Sequence, residues 1–218
     1  MKYLDAGCGA GMATQIAAAL GAEIFGLDAA DPLLAVARRR VPTGDYRVGE
    51  LEQLPFEDDT FDLVTGFNSF QYAANPKAAL SEAKRVASLG SPVVIMTWGK
   101  PEGMEAASLV AALRPLLPAP PAGAPGPFAL SDETALRAFA EAAGLKPVEL
   151  LDVESPWVYA DLAMALRGLG SSGVAARAAD NASRDAVDEA HAAALAPFVQ
   201  ADGSYRVEAK FRCLITEA

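Results

Sequence analysis

Leu4-Asp5-Ala6-Gly7-Cys8-Gly9-Ala10-Gly11 is a short apolar run that turns into three glycines spaced two apart, and the alanine-rich stretch Met12 to Leu20 follows at once. One glycine of such a turn permits the reversal from strand to helix, and the others let a ligand approach bare backbone. The start of the helix leaves N–H groups to face that ligand. Seventeen residues after Gly11, Ile24-Phe25-Gly26-Leu27 ends in Asp28. An acid at the tip of a second strand can accept hydrogen bonds from both hydroxyls of a ribose. The order strand, glycine turn, helix, strand, acid points to a ligand containing a nucleoside.

Outward from this block the chain keeps alternating. Strands are expected near residues 2–6, 23–28, 45–48, 61–67 and 92–98, with helices over 12–20, 31–40 and 76–88. That is the pattern of a doubly wound, mostly parallel α/β sheet. Asp31-Pro32 reads as an N-cap and first-turn pair, and Arg38-Arg39-Arg40 closes the same helix, where cations favour the negative dipole end. A short helix over Met104 to Leu113 leads into Pro115 to Pro127, whose six prolines and two glycines suit a surface connection. Ser131 is expected to cap a further helix that Gly144 ends. Val148 to Val153 reads as a sixth strand and Tyr205 to Thr216 as a seventh. Between them lies an alanine-rich helical insertion, broken at Gly168-Leu169-Gly170-Ser171-Ser172-Gly173. The expected organisation is therefore a seven-stranded core of residues 1–154 and 204–218 with a helical cap of residues 155–203.

The acid ahead of the loop and the single residue before Gly11 depart from a nicotinamide-binding G-x-G-x-x-G turn. Asp5 would repel a diphosphate and attract a cationic amino acid moiety. The block resembles the first motif of class I S-adenosylmethionine-dependent methyltransferases of the small-molecule type, hydrophobic-Asp-x-Gly-Cys-Gly-x-Gly. The likeness continues in order through Gly26-Leu27-Asp28, Gly49-Glu50-Leu51-Glu52-Gln53-Leu54-Pro55-Phe56, Phe61-Asp62-Leu63-Val64 and Ala79-Leu80-Ser81-Glu82-Ala83-Lys84-Arg85-Val86.

That resemblance implies S-adenosylmethionine as cofactor and methyl transfer to a small-molecule acceptor. Gly7, Gly9 and Gly11 would admit the methionine part of the donor against backbone. Asp5 would hold its ammonium directly, through water, or by fixing the loop, and Asp28 would take the ribose hydroxyls. Glu50 and Leu51 stand where the family usually has an Asp and a small residue beside the adenine. Either Glu50 accepts from the adenine amino group or Leu51 packs on the ring without it. Phe67 and Asn68 match the family's site-lining segment. Gln71, Tyr72, Trp98, Trp157 and Tyr159 are candidates for an acceptor pocket, with core packing as their alternative. If the sixth strand is parallel, as in the family, it delivers the insertion to the ligand edge. The family also places helix ahead of the first strand, so a lid would come from preceding sequence, the insertion or a partner subunit. No catalytic residue is assigned, and His191 on an alanine-rich helix reads as a packing or surface residue. Two other readings are a non-catalytic nucleoside-binding module and, more remotely, a nicotinamide-dependent oxidoreductase.

Composition narrows the partners. Acids outnumber bases 28 to 18 for a formal charge of −10, which disfavours nucleic acid. Cys8 and Cys213 form neither a disulfide framework nor a metal-ligand set. No stretch reaches the ~18 apolar residues of a membrane span, so a cytoplasmic protein acting away from membranes is expected, with a homodimer left open.

Overall fold

The computed structural model describes residues 1–119 and 126–218, and it divides into two compact units. The first comprises Met1–Trp98, Ala129–Asp152 and Arg212–Ala218; the second comprises Gly99–Phe128 and Val153–Phe211. The middle of the proline-rich connection, at 120–125, lies outside the described residues.

Strands β1 (Lys2–Ala6), β2 (Glu23–Asp28), β3 (Asp45–Val48), β4 (Leu63–Phe67), β5 (Pro92–Trp98), β6 (Lys146–Glu154) and β9 (Lys210–Glu217) form one seven-stranded sheet in the order β3-β2-β1-β4-β5-β9-β6. β1 pairs in parallel with both β2 and β4, and β4 with β5. Ala218 bonds Ser91 while Thr216 bonds Val93, and Arg212 meets Asp152 while Lys146 meets Glu217. Numbers rise on one strand as they fall on its neighbour, so β9 runs antiparallel to both β5 and β6, and β6 is parallel to the first five. The direction of the chain's order reverses at β1 and β4, and a ligand crevice is expected beyond their carboxyl ends.

Helices α1 (Met12–Ala19), α2 (Asp31–Arg40), α3 (Pro76–Val86) and α5 (Glu133–Ala142) belong to this unit. β1 reads Tyr3, Leu4, Asp5 and Ala6 without an exposed position, as a central strand covered on both faces must. One core joins Leu4, Leu27, Phe61, Val64, Phe70, Leu80, Ile95, Leu136 and Leu214. The other joins Tyr3, Ile24, Leu34, Ala37, Val41 and Tyr46, with Cys8 buried among them. The Arg38–Arg40 cluster does more than close α2: Arg38 bonds Asp31 and the Tyr46 carbonyl, and Arg40 bonds the Ala10 carbonyl.

Three boundaries differ from expectation. The N-cap of α2 is Ala30, with Asp31 inside the helix, because Asp28 already takes the Ala30 amide. The N-cap of α5 is Asp132, whose carboxylate accepts from Ala135, while Ser131 is buried and offers its carbonyl to Arg212. The expected strand over 205–216 is two strands. β8 (Tyr205–Val207) leaves the sheet to pair antiparallel with β7 (Trp157–Tyr159), and only Lys210–Glu217 continues in the sheet.

The second unit holds β7, β8, α4 (Ala106–Ala112), α6 (Leu162–Gly170), α7 (Gly173–Asn181) and α8 (Arg184–Leu195). Its membership differs from the 155–203 expectation by including Gly99–Phe128 and by extending over 153–211, so that of the expected core segment 204–218 only Arg212–Ala218 stays with the first unit. The reason is packing: Leu113 is buried with Ala175, Ala178 and Val187, and Glu105 accepts the Glu208 amide at 2.7 Å. The expected glycine break is largely helical. Gly168 and Gly170 lie inside α6, and Ser172 caps α7. A Cβ on Gly168 would stand 2.9 Å from the Tyr159 ring, and one on Gly170 would meet the Arg184 guanidinium. Gly168 and Gly170 make room for the side chains of Tyr159 and Arg184. Among the described residues no helix is long and apolar enough to cross a membrane.

Candidate functional site

The carboxyl ends of β1, β2 and β4 surround a cleft of about 250 Å³, lined by Gly7, Asp28, Ala29, Gly49, Glu50, Leu51, Glu52, Asn68, Ser69, Tyr72 and Ala73. Five of the residues picked out in the sequence line it: Gly7, Asp28, Glu50, Leu51 and Asn68. Tyr72, proposed for the acceptor, joins them.

The three loop glycines have different tasks. All adopt positive φ, at 81° for Gly7, 52° for Gly9 and 77° for Gly11. Gly7 lines the cleft and lies so close to Ser69 that a Cβ would overlap that side chain. Gly11 admits α2, since a Cβ there would stand 2.8 Å from that of Ala37. Gly9 has open space around it, and its amide goes to Asp28 Oδ2 at 2.8 Å. The amides of Gly7 and Cys8 both bond the Leu27 carbonyl, and that of Gly11 bonds Cys8. The loop therefore spends these four donors internally, contrary to a turn whose amides greet a phosphate.

Asp28 sits at the join of the two βα turns. Oδ2 takes the Gly9 amide and Oδ1 the Ala30 amide at 2.9 Å. A carboxylate has about four lone-pair sites, so capacity remains for a diol. The same side chain thus braces the glycine turn and the start of α2 while it lines the cleft. Glu50 is exposed on the cleft wall beside half-buried Leu51, and Glu52 accepts the Asn75 amide at 2.7 Å.

Asp5 is buried beneath the loop and does not line the cleft. Thr65, its register partner on β4, donates to Asp5 Oδ1 at 3.1 Å, and that leaves the Thr65 oxygen to accept from Tyr3 at 2.7 Å. Burial, with a smaller repulsion from Asp28, pushes the Asp5 carboxyl up to about 7. The hydrogen bond of its carboxylate thus runs to β4 and not to the glycine loop.

At the end of β4, Phe67 is half-buried outside the cleft lining. Asn68 turns the chain with φ of 53°, and its side-chain oxygen accepts from Gln71 at 2.9 Å. Ser69 lines the cleft, as does the exposed Tyr72 ring, and the Ser69 Oγ is itself buried with no protein partner among the described residues. Trp98 Nε1 donates to the Tyr72 hydroxyl at 3.2 Å, which ties the ends of β4 and β5 together. Trp157 and Tyr159 lie on β7 of the second unit, where Tyr159 pairs with Tyr205 and packs over Gly168. His191 is buried on α8 of that unit, in line with Val187 and Leu195, and burial pushes its imidazole below the ordinary range. Sequence reading missed Ser69. Its signal was smallness beside a glycine, which only the β1–β4 pairing makes visible.

The groups present fit S-adenosylmethionine. A diol can meet Asp28, an apolar ring can lie on Leu51, and the donor's amino acid end can meet the Gly7 backbone. The lining holds three carboxylates, Asp28, Glu50 and Glu52, and no cationic side chain. That suits a cation and opposes a diphosphate.

Residues 4–95 match the family model of a methyltransferase domain. A malonyl-(acyl-carrier protein) O-methyltransferase of Erwinia billingiae is 38% identical over 120 residues, 55% of this chain and 47% of that protein. A demethylmenaquinone methyltransferase of Renibacterium salmoninarum is 33% identical over 100 residues, 46% of this chain and 42% of that protein. The chain thus spans about half the length of these relatives. Among solved structures, a methyltransferase-like protein of Bacillus halodurans superposes with a TM-score of 0.63 at 18% identity, over 99% of this chain and 91% of that one. The cyclase SpnF superposes at 0.60 with 20% identity, over 99% and 73%. These two show the fold alone. Over residues 4–95 the chain is similar to the methyltransferase domain family.

Proposed function

We infer that the chain transfers the methyl group of S-adenosylmethionine to a small-molecule acceptor. The observation that carries this reading is the charge of the cleft: three acids and no base, below a glycine loop whose amides are spent internally. A dinucleotide would bring its phosphates against those acids, and S-adenosylmethionine brings a sulfonium and an ammonium. When bound, that cofactor supplies a methyl group already activated on cationic sulfur. The protein's part is to hold and to align. Asp28 receives the ribose diol, and Leu51 covers the adenine with Glu50 at its polar edge. Gly7, Asn68 and Ser69 surround the amino acid end, and Asp5 lies buried beneath the loop. Alignment of donor and acceptor can account for about 7–11 kcal/mol of a barrier, and no side chain is assigned as a base. Two relatives named for a carrier-bound malonyl group and for demethylmenaquinone support an acceptor of modest size.

Titration calorimetry tests the reading. The folded protein should bind S-adenosylmethionine and its demethylated product, S-adenosylhomocysteine, with no comparable heat from nicotinamide dinucleotides. A folded preparation that prefers the dinucleotide, or binds neither nucleoside, overturns it.

A further inference from the structure

The hydrogen bond between Trp98 and Tyr72 has only one possible direction. An indole N–H donates and cannot accept, so the Tyr72 oxygen is the acceptor and its own proton is not used in that bond. The ring carrying that proton is 57% exposed and lines the cleft beside Asn68 and Ala73. Its backbone is held as well, since it closes the turn over Phe70–Tyr72 with its amide on the Ser69 carbonyl at 2.9 Å. A phenol fixed at both ends, with an unspent donor at a ligand cleft, is a preorganised recognition group.

We propose that Tyr72 is a specificity-determining residue: its hydroxyl, oriented by Trp98, donates to a carbonyl or anionic oxygen of the acceptor molecule. The aromatic rings of Tyr72 and Trp98 add flat apolar surface, so the molecule that fits has a flat apolar body with such an oxygen at its edge. This rests on the methyltransferase reading, because the acceptor is defined by its place beside the donor cleft.

A matched pair of probes, acetophenone and ethylbenzene, differs in the oxygen alone. Each is titrated into full-length protein loaded with S-adenosylhomocysteine and followed by the ¹H–¹⁵N indole resonance that Trp98→Phe removes. Acetophenone should bind more tightly than ethylbenzene and move that resonance. Tyr72→Phe should weaken acetophenone about five- to tenfold, leave ethylbenzene within twofold, and shift the indole proton upfield as its acceptor is lost. Calorimetry on the same variant should show that S-adenosylhomocysteine still binds, so that the probes report on a loaded protein. Equal loss for both probes would mean that Tyr72 only packs, and an unchanged acetophenone affinity or no acetophenone binding would equally overturn the proposal. Failure of wild-type protein to bind S-adenosylhomocysteine would strike the methyltransferase reading instead.

Discussion

The Asp28 carboxylate receives the Gly9 amide at 2.8 Å, so the acid at the tip of β2 is built into the glycine turn at the tip of β1. Its second oxygen holds the Ala30 amide where α2 begins. Loop geometry and the proposed ribose contact therefore fall on one side chain, and changes there should touch stability and affinity together.

Asp28→Ala should lower unfolding free energy by about 1–3 kcal/mol, because two amides lose a charged acceptor. Its affinity for S-adenosylhomocysteine should fall at least tenfold. Asp28→Asn, which keeps one accepting oxygen, should lie between the variant and wild type on both scales. Chemical denaturation and calorimetry read the two effects separately. Full affinity in the alanine variant would remove Asp28 from the ribose.

Gly7 and Gly9 should respond differently to alanine although both have positive φ. At Gly9 the new methyl group enters open space, so the cost is the left-handed backbone, about 1–2 kcal/mol. At Gly7 the same backbone cost is joined by overlap with Ser69, which must move where it lines the cleft. Gly7→Ala should be the less stable variant and lose ligand binding, while Gly9→Ala keeps most of it. Thermal melts with and without S-adenosylhomocysteine would show the contrast as a ligand-induced rise in melting temperature present only in Gly9→Ala.

Asp5 makes stability depend on pH with a defined sign. Its folded carboxyl is raised from 3.8 to about 7 by burial, so the folded state favours the protonated form. The contribution is fully present below about pH 4 and is lost as pH rises toward 7. At about 1.4 kcal/mol per unit, the loss is on the order of a few kcal/mol. Asp5→Asn keeps an oxygen for the Thr65 hydroxyl and cannot ionise. It should therefore gain on wild type between pH 4.5 and pH 8 in urea midpoints, and parallel curves for the two proteins would contradict the assignment.

The order of elements through β5 was legible because each strand is a short apolar run and each helix has a start or stop residue nearby. The glycine turn and Asp28 were legible for a related reason, since turn geometry restricts residue type locally, whereas the Glu50–Leu51 pair followed from the family resemblance alone. Boundaries failed where another residue, near or distant in sequence, took the local group. Asp28 displaced Asp31 as the acceptor at the start of α2, and Arg212 drew on Ser131 while Asp132 capped α5.

The sequence by itself determined a parallel α/β sheet, its glycine turn and the acid one strand later, since those follow from periodicity and backbone sterics. Only the tertiary structure decided how the three glycines divide their work, that Asp5 lies under the loop, that Ser69 faces Gly7, and that Tyr72 holds Trp98. Each of these depends on the register between strands 20 to 60 residues apart, as Asp5 opposite Thr65 and Gly26 shows. Hydrophobic periodicity specifies which face of a strand is buried. The neighbour across the ladder is set by pairing, and pairing is a property of the folded chain.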